Sequence, residues 1–534
     1  MFTAALAEAL PALRGDDLAG MEQRLRRVGR AVRGPVVERV VERVVAARAA
    51  GVGGGACPDA ACAGPLRLVD RARPRPLHGL VGDDTLRRAY YRCATGGRGQ
   101  APRDDTLGLG TGSLAPGLAQ VVCREGGAQG SFAEAVDSVA ASVGVALTAA
   151  VARRATEGMG AVAAAETQAA MARVARGQPA WAPADAAVEA AESAVLAVEV
   201  DGVYVQRDDG WPEMTVVTVA PRGPGVETDA DTGRERLCWG RASDGAGVEE
   251  AQDFGGRAHA EACRRGLGTP AVRTVVARGD GAPWIWRHAR AYRALPGVAV
   301  VEISDLYHAD AYLWSVGNAV CGEGTAAAAA WVEPLKTRLY QEGAAPLHAA
   351  LVTLARTVCD PDPADPPTDT ATEGTAALAV RRALAYVTTN AARLDYPAFL
   401  ARRLPIGAGA VESGCKSLVQ ARPKGAGMRW SGAGAQRVIA LRALRRSGRW
   451  DAFWQARPQR AHLRLVPRAR QPSTRTPAAP PVTRPPAAPA APTAPTAPTA
   501  PPPEAPPTPP PPRPLRPAAD HAWRRAPIGC PRSA

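Results

Sequence analysis

The sequence predicts a mixed α/β fold, and three observations lead to this prediction. Five runs rich in β-branched and apolar residues lie between residues 194 and 304, which is typical of strands. The first three runs follow one another like a meander, and helical sequence accompanies the last two, an order that favours layers of helices and sheet. Alanine-rich helical sequence then covers residues 308 to 400. The five predicted strands are AVLAVEVDGVYVQ, EMTVVTVAPRG, RERLCWGRAS, PAVRTVVARG and GVAVVEIS.

The length, net charge and composition of the chain favour a soluble protein with a polyanionic partner. The chain of 534 residues carries a formal net charge of +14, and 534 residues favour more than one domain. No run of about 18 uncharged apolar residues exists, so we expect no membrane span. The ten cysteines have no regular spacing, and the first residues lack a basic segment typical of a signal peptide. We therefore expect a protein of the reducing cytoplasm.

The N-terminal part of the chain divides into two predicted segments. Residues 1–50 read as a helical segment with a valine stripe, whose charged face is either solvated or turned to DNA or a partner. Residues 51–115 contain Cys57, Cys62 and Cys93, which suggest a degenerate zinc ribbon. Three cysteines are one fewer than a structural zinc site needs, and glycines follow Cys93. A hairpin-rich module without metal is therefore the alternative.

A helix-turn-helix-like DNA-binding segment is predicted for residues 116–175. Apolar residues at helical spacing occupy two stretches on either side of Gly144, and Thr148 is placed to cap the second helix. Arg153 and Arg154 lie on that second helix, so we assign them to DNA contact. Any helical hairpin has the same pattern, and an ordinary structural hairpin is the alternative.

The C-terminal end of the chain has two parts. Residues 432–456 predict a helix that closes a catalytic domain spanning 190–456, with a helical insertion at about 308–400. Residues 466–534 are rich in proline and alanine and also contain arginine. A segment of this composition cannot form a hydrophobic core. We predict that this tail is disordered.

Three acidic residues at the ends of predicted elements form the candidate catalytic site. Asp201 follows the run AVLAVEV, Asp280 follows AVRTVVARG, and Glu412 stands at the start of the predicted helix ESGCKSLVQ. Carboxylates that converge from neighbouring strands and a helix can hold two Mg²⁺ ions for phosphodiester cleavage. The alternatives are a hairpin turn at each Asp-Gly and a carboxylate that favours a helix start at Glu412.

A fourth acid and a histidine follow the last predicted strand. Asp305 and His308 stand in EISDLYHADAYLW. Asp305 is a candidate helix N-cap and His308 a packed residue, or both lie beside the active centre.

Five stretches together resemble the ISKra-type bacterial insertion-sequence transposases. They are DGVYVQ, GDGAPWIW, DLYHADAYLW, LPIGAGAVESGCKSLVQARPKGAGMRWSGAGAQRVIALRAL and SGRWDAFW. The resemblance covers roughly residues 50 to 456. These transposases are DDE enzymes related to the Mutator-like group, and the resemblance implies an RNase H-like catalytic core with a helical insertion before the last acid. The incomplete cysteine set and the proline-rich tail depart from the family pattern.

The resemblance also implies an activity and a set of site residues. Asp201, Asp280 and Glu412 would be the DDE acids and ligands of two Mg²⁺ or Mn²⁺ ions, with Asp305 and His308 as the accompanying Asp-x-x-His pair. The partners would be double-stranded transposon ends and target DNA, held by a homo-oligomer at the nucleoid. A catalytically decayed or domesticated DNA-binding protein is the alternative. The residues expected along the DNA path are Lys416, Arg422, Lys424, Arg429 and, for stacking, Trp430.

Overall fold

The structure is a computed structural model, and the part that it describes forms one compact unit. The described residues are 57, 62, 64–80, 82–97, 99–101, 104, 109, 112–181, 195–228, 235–359, 375–425 and 427–456. The predicted helix within residues 1–50 and the predicted disordered tail at 466–534 lie outside these residues, as does the segment 360–374.

A small antiparallel sheet stands at the N-terminal side of the described chain. It consists of β1 (Leu66–His78), β2 (Asp83–Cys93) and the short β3 (Gly99–Gln100), in the order β1-β2-β3. Leu77 and Leu86 supply its small buried cluster, whereas most of β1 is exposed. The two long strands therefore form a largely solvent-facing ribbon.

Three helices follow the ribbon: α1 (Pro116–Ala128), α2 (Phe132–Val143) and α3 (Ala149–Ala175). The predicted helix pair is confirmed, because α2 ends at Gly144 in the left-handed region (φ 73°) and the Thr148 hydroxyl accepts a hydrogen bond from Val151 N–H. The 27-residue helix α3 packs lengthwise against the C-terminal part of the fold. The predicted DNA-binding segment thus shares packing with the predicted catalytic domain.

The central sheet has six strands and is mixed. Its order is β6-β5-β4-β8-β9, and β7 pairs with β5. The β4–β5 and β5–β7 pairs are antiparallel, whereas β8 runs parallel to both β4 and β9. The five predicted strands are confirmed, but β7 was not predicted. The strands are β4 (Val195–Tyr204), β5 (Glu213–Thr228), β6 (Glu235–Trp239), β7 (Ser243–Gly247), β8 (Thr274–Gly279) and β9 (Ala299–Ser304).

Most of the remaining regular structure is helical, and the described chain is a mixed α/β protein. The predicted helical region at 308–400 is confirmed, whereas the predicted closing helix is two helices separated by Gly448 (φ 69°). The helices are α4 (Ala251–Arg264), α5 (Pro283–Ala291), α6 (Leu306–Cys321), α7 (Ala326–Glu342), α8 (Ala344–Val358), α9 (Thr375–Asn390), α10 (Tyr396–Ala401), α11 (Gly409–Gly414), α12 (Gly432–Arg446) and α13 (Trp450–Gln455). Among the described residues, no helix combines the length and apolar character needed to cross a bilayer.

Strand alternation in β4 decides which face of the sheet carries the candidate site. Leu196, Val198 and Val200 pack in one core with α4 and α5. Because successive side chains of a strand point to opposite faces, Glu199 and Asp201 face the other side. The helix α11 packs on β4 and β5 there. A Cβ on Gly414 would lie 2.9 Å from Thr218 Oγ1, which shows how closely α11 approaches β5.

Candidate functional site

Two of the predicted catalytic acids occupy matching positions on neighbouring parallel strands. The last registered pair between β4 and β8 is Glu199 with Arg278, and Asp201 and Asp280 each follow by two residues. Asp280 lies directly after β8, as predicted, whereas Asp201 lies inside β4 and not at its end. Both acids are half-buried. The parallel register therefore brings the two Asp residues to the same edge region of the sheet.

Hydrogen bonds hold both aspartates in place. Gly202 N–H donates to Asp201 Oδ1 at 2.8 Å, and the Cys415 thiol lies 3.4 Å from Asp201 Oδ2. Burial raises the pKa of the Cys415 thiol, and the charges of Asp201 and Glu412 raise it further. The thiol is therefore protonated at neutral pH and donates to the carboxylate. Ala282 N–H donates to Asp280 Oδ1 at 2.8 Å.

Glu412 lies on α11, and its carboxylate binds Lys416. The Lys416 ammonium is 2.8 Å from Glu412 Oε1, and both side chains are more than half exposed. The two residues are four positions apart, and this i,i+4 contact places them on the same helical face. Within the described part of the chain, the carboxylates of Asp201, Asp280 and Glu412 do not all lie within 4.8 Å of one another. The structure thus brings the two Asp residues together and leaves the Glu412 carboxylate with Lys416.

Below Asp201 and Asp280 lies a buried ion pair that sequence reasoning missed. The Arg278 guanidinium binds the Glu199 carboxylate, and each side chain is only 2% exposed. Glu199 Oε2 accepts a hydrogen bond from Val411 N–H at 3.0 Å, and Arg278 donates to the Gly407 carbonyl at 2.5 Å. The pair therefore binds the backbone of the segment that leads into Glu412.

The signal for this ion pair was present in the sequence. Glu199 and Arg278 are charged residues inside otherwise apolar strand runs, and each stands two residues before a candidate catalytic Asp. A period of two places each charge on the same face as that Asp. Opposite charges that stand the same number of residues before the two Asp residues predict an ion pair between the strands, provided that the strands are known to be neighbours.

Asp305 is the N-cap of α6 and a second anchor of the segment before Glu412. Its Oδ2 accepts from His308 N–H at 3.2 Å, and its Oδ1 accepts from Ala408 N–H at 2.6 Å. Leu306 N–H also donates to the Ile406 carbonyl at 3.1 Å. Backbone amides donate to both carboxylate oxygens of Asp305, and these bonds position the start of α6 and the segment before Glu412. The catalytic role predicted for Asp305 stays a prediction.

Burial raises the pKa of the Asp305 carboxyl from 3.8 to about 6, although the Ala408 amide, Arg278 and His308 lower it. A raised carboxyl pKa contributes stability that is fully present below pH 4 and is lost as the pH rises through 6. We expect the stability difference between the parent and Asp305→Asn to shift by about 3 kcal/mol against the parent from pH 4 to pH 7. Urea unfolding at four pH values measures it. A difference that is constant over this range would contradict the assignment.

His308 is exposed and lies near a pair of stacked tyrosines. Its ring centroid is 6.3 Å from that of Tyr312, which stacks on Tyr386 at 4.2 Å. Burial raises the pKa of the Tyr312 hydroxyl, and the negative charge of Asp280 raises it further. The helices α6 and α9 of the predicted insertion thus bring aromatic side chains next to Asp280. Neither tyrosine was singled out from the sequence.

A further acid missed by sequence reasoning lies next to the aspartates. The carboxylate of Glu213, on β5, fills the space where a side chain on Gly202 would be. Burial raises the pKa of Glu213, and the charges of Asp280 and Asp201 raise it further. Three acidic side chains therefore act on one another at this edge of the sheet. The place of Glu213 follows only from the register of β4 and β5, which pairs it with Tyr204.

Two of the predicted DNA contacts are wrong, because the side chains are buried. Arg422 is 1% exposed, and its guanidinium lies 4.8 Å from the Phe132 ring and 5.0 Å from the Trp430 ring. It donates to the Gly130 carbonyl at 2.7 Å. Trp430 is 7% exposed and packs in the core under α11 and α12. Both residues join α2 to the catalytic side of the fold and are not available to DNA.

The other predicted DNA contacts are at the surface. Lys424 and Arg154 are exposed. Arg153 forms an ion pair with Glu157 at 3.2 Å, and Arg429 lies 3.4 Å from Asp208. Together with Lys416 they stay candidates for DNA contact.

The three cysteines of the N-terminal sheet come together. The sulfur atoms of Cys57, Cys62 and Cys93 all lie within 4.8 Å of one another, and Cys62 Sγ is 3.4 Å from Cys93 Sγ. A hydrogen bond from Gly96 N–H lowers the pKa of the Cys93 thiol. The cluster could bind a metal ion.

Comparison with known proteins gives no family: no protein-family model and no curated protein matches the chain.

Proposed function

We propose that the chain is a DDE transposase of an insertion sequence, which cuts DNA at terminal inverted repeats and joins the freed 3′-hydroxyl ends to target DNA. The observation that carries the proposal is the matched register of Asp201 and Asp280 on adjacent parallel strands, beside a helix that bears Glu412. The ion pair of Glu199 and Arg278 fastens that helix to the same two strands.

The sheet supports an RNase H-like core. A meander of antiparallel strands, β4, β5 and β7, is extended by the parallel strands β8 and β9. Asp201 lies on β4, the first of these five strands, and Asp280 follows β8, the fourth of them. The helices α6 to α10 stand between the second and the third acid, where the resemblance places an insertion. Strand order and acid positions together favour this core over an unrelated α/β layer fold.

The residues at the sheet edge fit Mg²⁺ or Mn²⁺. Asp201 and Asp280 are oxygen ligands of the kind that hard cations prefer. Burial raises the pKa of Glu213, the charges of Asp280 and Asp201 raise it further, and a bound cation would offset those negative charges. A pair of such ions activates the attacking oxygen and stabilises the leaving one in phosphodiester cleavage. For Glu412 to contribute, its carboxylate must leave Lys416, and exposed i,i+4 pairs typically contribute only about 0.3–0.5 kcal/mol.

The protein's own residues supply position and charge. The Gly202 and Ala282 amides and the Cys415 thiol orient the two Asp carboxylates. Lys416 is exposed beside Glu412 and can bind a DNA phosphate once the carboxylate turns away. In the reaction, water attacks the phosphorus and breaks its bond to O3′, which leaves a 3′-hydroxyl and a 5′-phosphate. The 3′-hydroxyl then attacks a phosphodiester of the target, bonds to its phosphorus and releases a 3′-hydroxyl of the target strand.

The β1–β2 ribbon offers a DNA-binding surface that the sequence analysis did not identify. Arg67 and Arg92 face each other across the two strands, although like charges in that position are destabilising. A polyanionic partner offsets such repulsion, and a two-stranded ribbon fits the major groove. Five arginines of the ribbon are exposed: Arg67, Arg71, Arg73, Arg87 and Arg92.

A DNA-binding protein without catalysis is the second candidate. The observation that favours it is the state of Glu412, whose carboxylate is engaged by Lys416 and is not gathered with the Asp pair. A catalytically decayed or domesticated copy would keep the basic ribbon and lose the need for an assembled acid site.

Cleavage of the DNA that flanks the gene tests the proposal. We expect the purified full chain, with Mg²⁺, to nick a labelled duplex at the element boundary and to join the 3′ end to a second duplex. The reaction should stop with EDTA, and a duplex with a scrambled end sequence is the control. Binding to the flanking ends without cleavage, with and without Mg²⁺, would favour the second candidate. The absence of both binding and cleavage would reject both.

A further inference from the structure

The backbone around Cys93 forms a turn that points amides at its sulfur. Cys93 is the last residue of β2, and Gly97 N–H donates to the Cys93 carbonyl at 3.1 Å to close the turn. Gly96 N–H lies 3.3 Å from Cys93 Sγ. Gly97 has a φ of 63°, in the left-handed region that glycine adopts without cost. The turn thus directs a backbone N–H at the Cys93 sulfur.

Backbone hydrogen bonds hold the other two cysteines against this turn. Cys57 N–H donates to the Gly64 carbonyl at 2.8 Å, and Ala94 N–H donates to the Pro65 carbonyl at 3.0 Å. These two bonds connect the segment of Cys57 and Cys62 with the end of β2. Backbone hydrogen bonds therefore hold Cys57 and the end of β2 close to the same short segment, Gly64 and Pro65.

The sulfur spacing fits a metal ion and not a disulfide. Zn–S bonds of about 2.3 Å at tetrahedral angles separate two sulfurs by about 3.8 Å. The Cys62–Cys93 distance is 3.4 Å, far longer than a disulfide bond, and all three sulfurs lie within 4.8 Å. Thiolates are soft ligands that select zinc over magnesium or calcium.

Gly96 lies next to the sulfur atoms of the cluster. A Cβ on Gly96 would lie 3.2 Å from Cys62 Sγ and 3.9 Å from Cys93 Sγ. Gly96 stands three residues after Cys93, where a second cysteine of a C-x₂-C pair would be. It is exposed, whereas Cys57 and Cys93 are buried. No other Cys, His, Asp or Glu of the described chain joins this ligand group.

We propose that Cys57, Cys62 and Cys93 bind one Zn²⁺ ion whose fourth coordination position faces solvent beside Gly96 and holds a water molecule. Structural zinc sites are closed by four protein ligands, whereas a site with three protein ligands keeps an exchangeable position. The site ties the base of the β1–β2 ribbon to the segment before it. It stands apart from the acid site and does not depend on the transposase proposal.

Cobalt and zinc binding to the purified full chain test this site. We expect one equivalent of Co²⁺ per chain, with a thiolate-to-cobalt charge-transfer band that Zn²⁺ removes by competition. Cys93→Ser should abolish the band, whereas the matched control Cys321→Ser, a half-buried cysteine of α6, should keep it.

Gly96→Cys gives a readout that does not depend on removing a ligand. A fourth thiolate at this position should replace water, shift the cobalt ligand-field bands to lower energy and lower the Kd for Zn²⁺ about tenfold or more. Parent protein that binds less than about a tenth of an equivalent would overturn the proposal. So would cobalt bands that are the same in the parent and in Gly96→Cys.

Discussion

Replacing Asp280 by Asn will lower the rate of Mg²⁺-dependent DNA cleavage on the order of 1,000-fold and leave the protein as stable as the parent. Asn keeps the size of the side chain and an oxygen that accepts the Ala282 N–H bond, so the turn after β8 is preserved. It removes the negative charge that a catalytic cation requires. Losses of this order accompany removal of a group that acts on the reacting atoms.

The stability of this variant follows from the charges around Asp280. Asp201 and Asp280 both raise the pKa of Glu213, which means that the three acids repel one another. Removing one charge therefore relieves repulsion in the folded state. Thermal unfolding should give a midpoint equal to or above that of the parent, and a loss of activity then cannot be ascribed to unfolding.

The matched control is Asp451→Asn, at an exposed residue in the first turn of α13. It makes the same chemical change outside the acid site and should leave the cleavage rate within about twofold of the parent. Cleavage by Asp280→Asn at the parent rate would remove Asp280 from the catalytic site. If both variants lost activity equally, the loss would not report on the site.

The strands and the two aspartates could be predicted because their signals are local. Runs of β-branched residues identify strands whatever surrounds them, and Asp201 and Asp280 stand beside such runs. The strand β7 was missed because its sequence, SDGAG, has no β propensity. Its residues are buried: it pairs with β5 in the sheet and packs against the helices α4 and α12. Tertiary packing decides the conformation of such a segment.

Residues that interact across long stretches of sequence could not be predicted. Arg422 stands in a glycine-rich segment, which is typical of a solvated loop. Its partners, the Gly130 carbonyl and the Phe132 ring, lie some 290 residues earlier, and nothing in either segment alone indicates the contact. Glu213 was missed for the same reason, because its role depends on the register of β4 and β5. The cysteine cluster was predictable as a set, but the place of Gly96 beside the sulfurs was not.

A large loss of stability is the second expected result, and it concerns the buried ion pair of Glu199 and Arg278. Arg278→Met should lower the free energy of unfolding by about 3–5 kcal/mol. The variant leaves the Glu199 carboxylate in the core with the Val411 amide as the hydrogen-bond donor that remains, and it removes the bond to the Gly407 carbonyl. An uncompensated buried charge is far more costly than the loss of a surface pair. Urea unfolding of the full chain measures the change.

The same substitution on the surface gives the comparison. Arg338 and Glu342 form an ion pair on α7 in which both side chains are about half exposed, and Arg338→Met should cost less than about 0.5 kcal/mol. An equal loss in the free energy of unfolding for Arg278→Met and Arg338→Met would show that burial does not increase the contribution of the ion pair.

A double variant separates the charge from the packing. Glu199→Gln with Arg278→Met removes both charges of the pair, and the Gln oxygen still accepts from Val411 N–H. We expect this variant to regain about half or more of the stability lost by Arg278→Met. DNA cleavage should recover less, because the Gly407 carbonyl has lost its donor and the segment leading into Glu412 is held at one point fewer. Recovery of stability without recovery of cleavage would identify the ion pair as a positioning device for Glu412, whereas equal recovery of both would limit its role to stability.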